Sequence, residues 1–318
     1  MRNTCLNMVH ELARRDPRVV FVGSDLSPGL LKGMRAEMPE RWFMEGVAEQ
    51  NVIGLSAGLA LEGFMPYVNT IATFITRRCF EQVAVDLCLH NLPVRLVANG
   101  GGLVYAPLGP THLAIEDIAI MRALPNMTVV CPTDAEEMKR FMLKTLDWPN
   151  PIYIRLAKGG DPIVSRPEDG FEIGRAILLR KPQQVLVVAT GVAVNRALKA
   201  ADALAAENIY CGVLNMHTVK PLDRESLFSY ARSVDLVVTV EEHTLIGGLG
   251  SAVADAFIDD MGNRKMPGLL RLGIPDAFPH EYGSQDSMME SFGLQPAQIA
   301  DSIRRRIRGE VIPKLEAF

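Results

Sequence analysis

Gly46-Val47-Ala48-Glu49-Gln50-Asn51-Val52-Ile53-Gly54-Leu55-Ser56-Ala57-Gly58-Leu59-Ala60-Leu61-Glu62-Gly63 is the stretch on which the reading of this chain turns. It opens with a carboxylate and continues as an apolar run rich in small residues. That pattern predicts a helix over 47–61 with Glu49 in its first turn, where a negative charge complements the helix dipole. A carboxylate at the head of so apolar a helix is partly buried. Burial raises a carboxyl pKa, so Glu49 can hold a proton at neutral pH. Gly54, Ala57 and Gly58 leave one face almost free of side-chain bulk, which suits close packing against another surface.

Outward from this helix, short apolar runs alternate with longer helical patterns. Strands are expected at 19–24, 65–70, 94–98, 128–131 and 152–156. Helices are expected at 4–14, 74–90, 114–123 and 134–145. Continuous apolar strands in a βαβα order imply a parallel sheet covered on both faces. Residues 158–181 are rich in Gly, Pro and charge, and the pattern then restarts. Strands follow at 185–189, 210–215, 236–240 and 269–272, with helices at 195–206, 225–232, 251–259 and 297–306. The expected organisation is an α/β chain of two domains: a parallel-sheet domain over 1–162, a linker over 163–182 and a smaller α/β domain over 183–318.

Composition narrows the function. The chain has 318 residues, 48 % hydrophobic and 22 % charged, with a net charge of −4. The charges are mixed, so no basic footprint for nucleic acid exists. Cys5, Cys79, Cys88, Cys131 and Cys211 are scattered, which points to free thiols in a reducing, cytoplasmic setting and to neither a zinc site nor a disulfide framework. No run is long and apolar enough for a membrane span, and 1–15 lacks the core of a signal peptide. Gly54-Leu55-Ser56-Ala57-Gly58 fits the G-x-S-x-G nucleophile pattern, but it lies inside a predicted helix and not at a strand–helix elbow, which argues against a hydrolase. Neither Gly100-Gly101-Gly102 nor Gly247-Gly248-Leu249-Gly250 completes a dinucleotide fingerprint.

The string from Gly46 to Gly63 closely resembles the cofactor-activating helix of the transketolase family. That family includes deoxyxylulose-phosphate synthase and the β subunits of 2-oxoacid dehydrogenases. The resemblance extends from Arg2 to about Arg308 and implies a pyrimidine-binding domain followed by the family's C-terminal domain. It implies that Glu49 bonds the aminopyrimidine ring of thiamine diphosphate, where an acid at the far ring nitrogen lets the exocyclic amine act as base. It places Asp25 at the cofactor edge and Phe74 against the pyrimidine ring. Ile71 stands where other members carry a second aromatic residue. Arg77 and Arg78, side by side at a helix start where cations oppose the dipole, point either to an anionic neighbour or to a solvated charge pair, and Arg77 is expected at the cofactor. Gly109-Pro110-Thr111-His112 resembles the family string whose His lies beside the reacting carbonyl, so His112 is expected to donate to a developing oxyanion or shuttle protons. Arg155 and Arg2 match positions that bind a substrate phosphate.

Two departures shape the expectation. Leu108 stands where sugar-transferring relatives carry Asp, which disfavours an ordinary ketose. The family's Gly-Asp-Gly…Asn-Asn segment, which holds magnesium and the diphosphate, does not occur. The resemblance therefore implies a C-terminal (β) subunit without a metal site of its own, working with an N-terminal subunit that holds magnesium and the diphosphate, most simply as α2β2. The implied reaction moves a ketol or acyl fragment from a ketose or 2-oxo acid to an aldehyde. The competing readings are a catalytically silent scaffold or regulatory subunit, and a β chain like those of 2-oxoacid dehydrogenases or deoxyxylulose-phosphate synthase.

Overall fold

Val19-Val20-Phe21-Val22 and Ile152-Tyr153-Ile154 are buried along their whole length, as strands covered on both faces must be. The computed structural model describes residues 1–24, 26, 29–260 and 266–313. The first half runs α1 (Arg2–Arg15), β1 (Val19–Gly23), α2 (Lys32–Glu37), β2 (Trp42–Met44), α3 (Glu49–Leu61) and β3 (Met65–Ile71). A helical stretch from Phe74 containing α4 (Phe80–Gln82) follows, then β4 (Arg95–Asn99), α5 (Asp117–Ala123), β5 (Thr128–Val130), α6 (Ala135–Lys144) and β6 (Ile152–Leu156). The second half runs β7 (Ile177–Arg180), β8 (Val185–Ala189), α7 (Ala193–Ala205), β9 (Cys211–Asn215), β10 (Thr218–Lys220) and α8 (Arg224–Ala231). It ends with β11 (Leu236–Thr244), α9 (Leu249–Asp260), β12 (Gly268–Ile274), α10 (Gln285–Ser291) and α11 (Pro296–Arg308).

Two mostly parallel sheets result, as the strand pattern implies. The first has seven strands in the order β10-β5-β6-β4-β3-β1-β2, the second five in the order β12-β11-β8-β9-β7. The exceptions to parallel pairing are edge strands. β7 lies antiparallel to β9 and is part of the stretch 163–182 that composition marks as a linker. β10 leaves the second half and pairs antiparallel with β5 of the first sheet. A three-residue Thr-Val-Lys strand has no periodicity to read, so only the pairing reveals it. The halves also share packed residues. Leu103, Ala106, Leu113 and Ile115, from the loop after β4, join a core otherwise built from second-half residues such as Val187, Val238 and Met289.

The expected helix over 74–90 is broken. Phe74–Arg78 and Val83–Leu89 are π-helical and flank the short α4. Side chains compete for carbonyls here: Thr76 Oγ1 donates to Ala72 O at 2.7 Å and Cys79 Sγ to Ile75 O at 3.0 Å. Such wide turns recur at functional sites.

Another buried group ties α6 to the second sheet. Glu137 accepts from Thr133 N and Asn215 Nδ2, both at 2.6 Å. Burial pushes its pKa from 4.5 up to about 8, against the pull of those donors. Buried Asn215 Oδ1 and Thr133 Oγ1 have no hydrogen-bond partner. Between pH 4.5 and about 8 the folded chain holds a proton that the unfolded chain has lost. Stability therefore falls as pH rises across that window, by on the order of 1.4 kcal/mol per pH unit. Urea unfolding at a series of pH values should show this slope, and Glu137→Gln should reduce it, leaving the share of Glu241, which burial also pushes up, to about 7. An equal slope in the variant would assign the dependence to other groups.

Candidate active site

The carboxyl ends of the first sheet's parallel strands, where α/β sheets bind ligands, gather the site. Glu49 follows β2, Phe74 follows β3 and His112 follows β4. Gly46, at φ +73°, turns the chain after β2, and the helix begins at Glu49, two residues later than the pattern implies. Two glycines inside α3 cost about 1 kcal/mol each relative to Ala. Burial of Val52, Ile53, Ala57 and Ala60 against the sheet offsets this. Gly54 and Gly58 are exposed, and an added Cβ at either would meet nothing within 4 Å. The two glycines are thus open in the single chain, while Ala57 packs inward, and Leu61 on this helix and Val47 just before it are also exposed.

Glu49 is 3 % exposed, and Arg78 Nη1 donates to its Oε2 at 2.7 Å. The same guanidinium lies over Phe74, its Cζ 4.4 Å from the ring centroid. Phe74 meets His112 edge-on, at 5.3 Å between centroids. Thr111 Oγ1 lies 2.9 Å from His112 Nδ1 and orients the imidazole. Glu49, Phe74 and His112, widely separated in sequence, therefore form one contiguous group. A carboxyl paired with a flat ring suits a flat nitrogen heterocycle that bonds one and stacks on the other. The guanidinium of Arg78, planar and N–H-donating, makes both contacts.

Supporting polar residues join the strand ends. Asn99 Nδ2 donates to Asn69 Oδ1 at 2.6 Å, and Ser24 Oγ donates to Thr70 Oγ1 at 2.9 Å. Ile71 is half-buried at the end of β3. Leu108 is 49 % exposed in the turn before Pro110. Two second-half residues that local sequence does not announce reach this edge. Tyr282, 70 % exposed, packs against Gly109, where a Cβ would lie 2.7 Å from Cε1 of the ring. Phe278 lies 5.9 Å beneath the guanidinium of Arg77. Gly109, at φ +78°, is needed both for the turn and for that approach. Arg2 opens α1, with its Nε buried and without a hydrogen-bond partner. Asp25 lies outside the described residues.

Two expected ligands are engaged elsewhere. Arg77 forks onto the carboxylate of Glu116 and donates to Leu113 O at 2.9 Å. Adjacent residues on a helix face different directions, so Arg78 and not Arg77 meets the Glu49–Phe74 pair. The anionic neighbours implied by the paired arginines are thus carboxylates of this chain. Arg155 is turned inward and only 7 % exposed. Its Nε donates to Asp117 Oδ2 at 2.7 Å, and its Nη2 to Asp117 Oδ1 at 3.1 Å, Ala114 O at 3.0 Å and Glu242 O at 2.9 Å. Burial pulls its pKa down, but Asp117 more than offsets this and holds it above the usual value. With Nε and Nη2 committed to Asp117 and to two carbonyls, Arg155 joins the two halves.

Glu241-Glu242-His243 lies within β11, which runs past its expected end. Glu241 accepts from Leu249 N at 2.6 Å and Gly250 N at 2.7 Å, capping α9. Glu242 accepts from Leu103 N at 2.8 Å and so anchors the loop that carries His112. Burial pushes His243 down to about 4, which suits an acceptor for Ala119 N at 3.2 Å. Gly100, Gly101 and Gly102 are faced by Tyr105, Arg155 and Glu242, whose side chains fill the space a Cβ would take. This glycine run is a packing device. Among the described residues no three His, Cys, Asp or Glu side chains converge as a metal set. No helix among them is long and apolar enough to cross a membrane.

Family comparison agrees with this geometry. The profile of the transketolase pyrimidine-binding domain matches residues 1–160, and that of the transketolase C-terminal domain matches 174–299. The chain belongs to the transketolase family. It is 37 % identical over 300 residues to a 6-deoxy-6-sulfo-D-fructose transketolase subunit of Clostridium sp. (strain MSTE9), covering 94 % of this chain and 92 % of that protein. It is 36 % identical over 303 residues to a putative transketolase C-terminal section of Methanocaldococcus jannaschii, covering 94 % of each. Against a 1-deoxy-D-xylulose-5-phosphate synthase of Synechococcus sp. (strain JA-2-3B'a(2-13)) it is 37 % identical, but spans only 46 % of that longer protein. A solved split-gene transketolase, described as an inactive β4 tetramer, superposes with a TM-score of 0.88 at 36 % identity, covering 96 % of this chain and 98 % of that one.

Proposed function

We propose that this transketolase-family chain is the C-terminal subunit of a thiamine-diphosphate-dependent transferase. It would act with an N-terminal subunit that holds magnesium and the diphosphate. The observation that carries the reading is the convergence of Glu49, Phe74 and His112 at the strand ends of the first sheet. The cofactor supplies, when bound, a nucleophilic carbon able to break a carbon–carbon bond next to a carbonyl. Glu49 would bind the pyrimidine ring and hold a proton at its far nitrogen, and Phe74 would stack on that ring. His112, oriented by Thr111, would donate to the substrate oxygen as charge develops there. Asp25 would complete the cofactor edge.

The donor we propose is a ketose with an anionic group remote from the cleaved bond, and the acceptor an aldehyde. Leu108 and the exposed ring of Tyr282 make one side of the approach apolar, unlike a wall built to bond sugar hydroxyls. The similarity to a subunit named for a 6-deoxy-6-sulfo sugar supports a modified ketose, with sulfonate or phosphate as the anion. With Arg155 turned inward, the anion contact rests on Arg2, whose buried Nε lacks a partner. The open face of α3 is the surface proposed for contact between subunits, most simply in an α2β2 assembly.

The test is reconstitution with an N-terminal partner carrying the Gly-Asp-Gly…Asn-Asn segment. Titration calorimetry should find tight magnesium-dependent thiamine diphosphate binding to the two-chain complex and little to this chain alone. The complex should cleave 6-deoxy-6-sulfofructose, with glyceraldehyde 3-phosphate as acceptor, in preference to fructose 6-phosphate. Tight cofactor binding by the isolated chain, or a loaded complex that cleaves no ketose, would overturn the reading.

A further inference from the structure

Arg78 occupies the place that the reading above gives to a pyrimidine ring. Its guanidinium is flat and donates to Glu49 Oε2 at 2.7 Å while its Cζ lies 4.4 Å from the Phe74 centroid. These are the two contacts, one polar and one stacking, that an aminopyrimidine would make. The backbone beside it is held in place: Gln50 Nε2, on the first turn of α3, donates to Arg78 O at 3.1 Å. The side chain beyond is not enclosed and remains 44 % exposed. A tethered root and a free head allow the guanidinium to leave without moving the helix. The π-helical turn over Phe74–Arg78 sets ring and guanidinium on the same side. The arrangement also answers a physical need, because a carboxylate as buried as Glu49 is costly without a partner.

We propose that Arg78 is a built-in occupant of the pyrimidine subsite and that cofactor loading displaces it. The inference rests on the proposed function and concerns how the same site is regulated. Arg78 satisfies Glu49 in the unloaded chain and competes with the incoming ring for both Glu49 and Phe74. Apparent cofactor affinity is then reduced by the fraction of molecules in which the site is open.

The test uses the reconstituted two-chain complex, with magnesium and thiamine diphosphate as the probe in titration calorimetry. Arg78→Met removes the guanidinium but keeps its apolar stem. It should tighten the dissociation constant about two- to sixfold, the range set by an ion pair of this exposure closing the site. The same variant should lower the melting temperature of the unloaded chain, because Glu49 loses its partner. Arg78→Lys keeps the charge but cannot lie flat on Phe74, and should fall between wild type and Arg78→Met. A purely structural arginine predicts a lower melting temperature and weaker cofactor binding together. Unchanged or weaker binding by Arg78→Met, with wild type binding normally, overturns this inference and leaves the functional proposal standing. If wild type with its partner binds no cofactor, both fall.

Discussion

Glu49→Gln should slow hydrogen–deuterium exchange at the thiazolium carbon of thiamine diphosphate by ~10²–10⁴-fold in the reconstituted complex, the usual contribution of a positioned acid. Glu49 is the first residue of α3 and almost wholly buried. Glutamine preserves its shape and can accept from Arg78 through its carbonyl. What it loses is an ionisable proton at the ring nitrogen. If Glu49 served only to complement the helix dipole, the substitution would cost about 0.3–1 kcal/mol of stability and leave exchange unchanged. The two roles thus separate cleanly: one moves a rate on the cofactor, the other a melting temperature. A Glu49→Gln complex that assembles, binds cofactor and exchanges at the wild-type rate would remove the main support for the functional proposal.

Arg155→Met should destabilise the chain by ~3–5 kcal/mol, the usual cost of removing one partner of a buried ion pair. Asp117 is fully buried, and beside Arg155 it accepts from Tyr153 Oη at 2.7 Å. Once the guanidinium is gone, its charge has no cationic partner at hydrogen-bond distance, and the carbonyls of Ala114 and Glu242 each lose one donated bond. The double variant Arg155→Met, Asp117→Asn should cost less than the sum of the single changes, because no uncompensated charge remains. Denaturant unfolding of the four chains measures this coupling. If Arg155 instead held a substrate anion, the single variant would unfold like wild type and raise KM in the reconstituted enzyme. That outcome would reverse the assignment drawn from its hydrogen bonds.

The sequence by itself determined the fold class and singled out Glu49 as the candidate centre of the site. Continuous apolar runs alternating with helical periods specify parallel sheets covered on both faces, and that signal is local. The head of α3 was legible for the same reason: a carboxylate followed by an apolar, glycine-containing helix is written in consecutive residues. Only the tertiary structure decided which way the charged side chains point. Arg155 follows the strand pattern faithfully, yet its direction depends on Asp117 and Glu242, brought beside it by a different helix and a different domain. Arg77 and Arg78 are adjacent and chemically identical, but the π-helical turn sends one to Glu116 and the other to Glu49. Glu241–His243 lies just past the strand expected at 236–240 and is the buried end of β11. β10 crosses to the first sheet on a three-residue pairing that carries no period. In each case the deciding energy is a contact between residues far apart in the chain. Hydrophobic periodicity records burial, whereas the partner of a buried charge is chosen only when the elements meet.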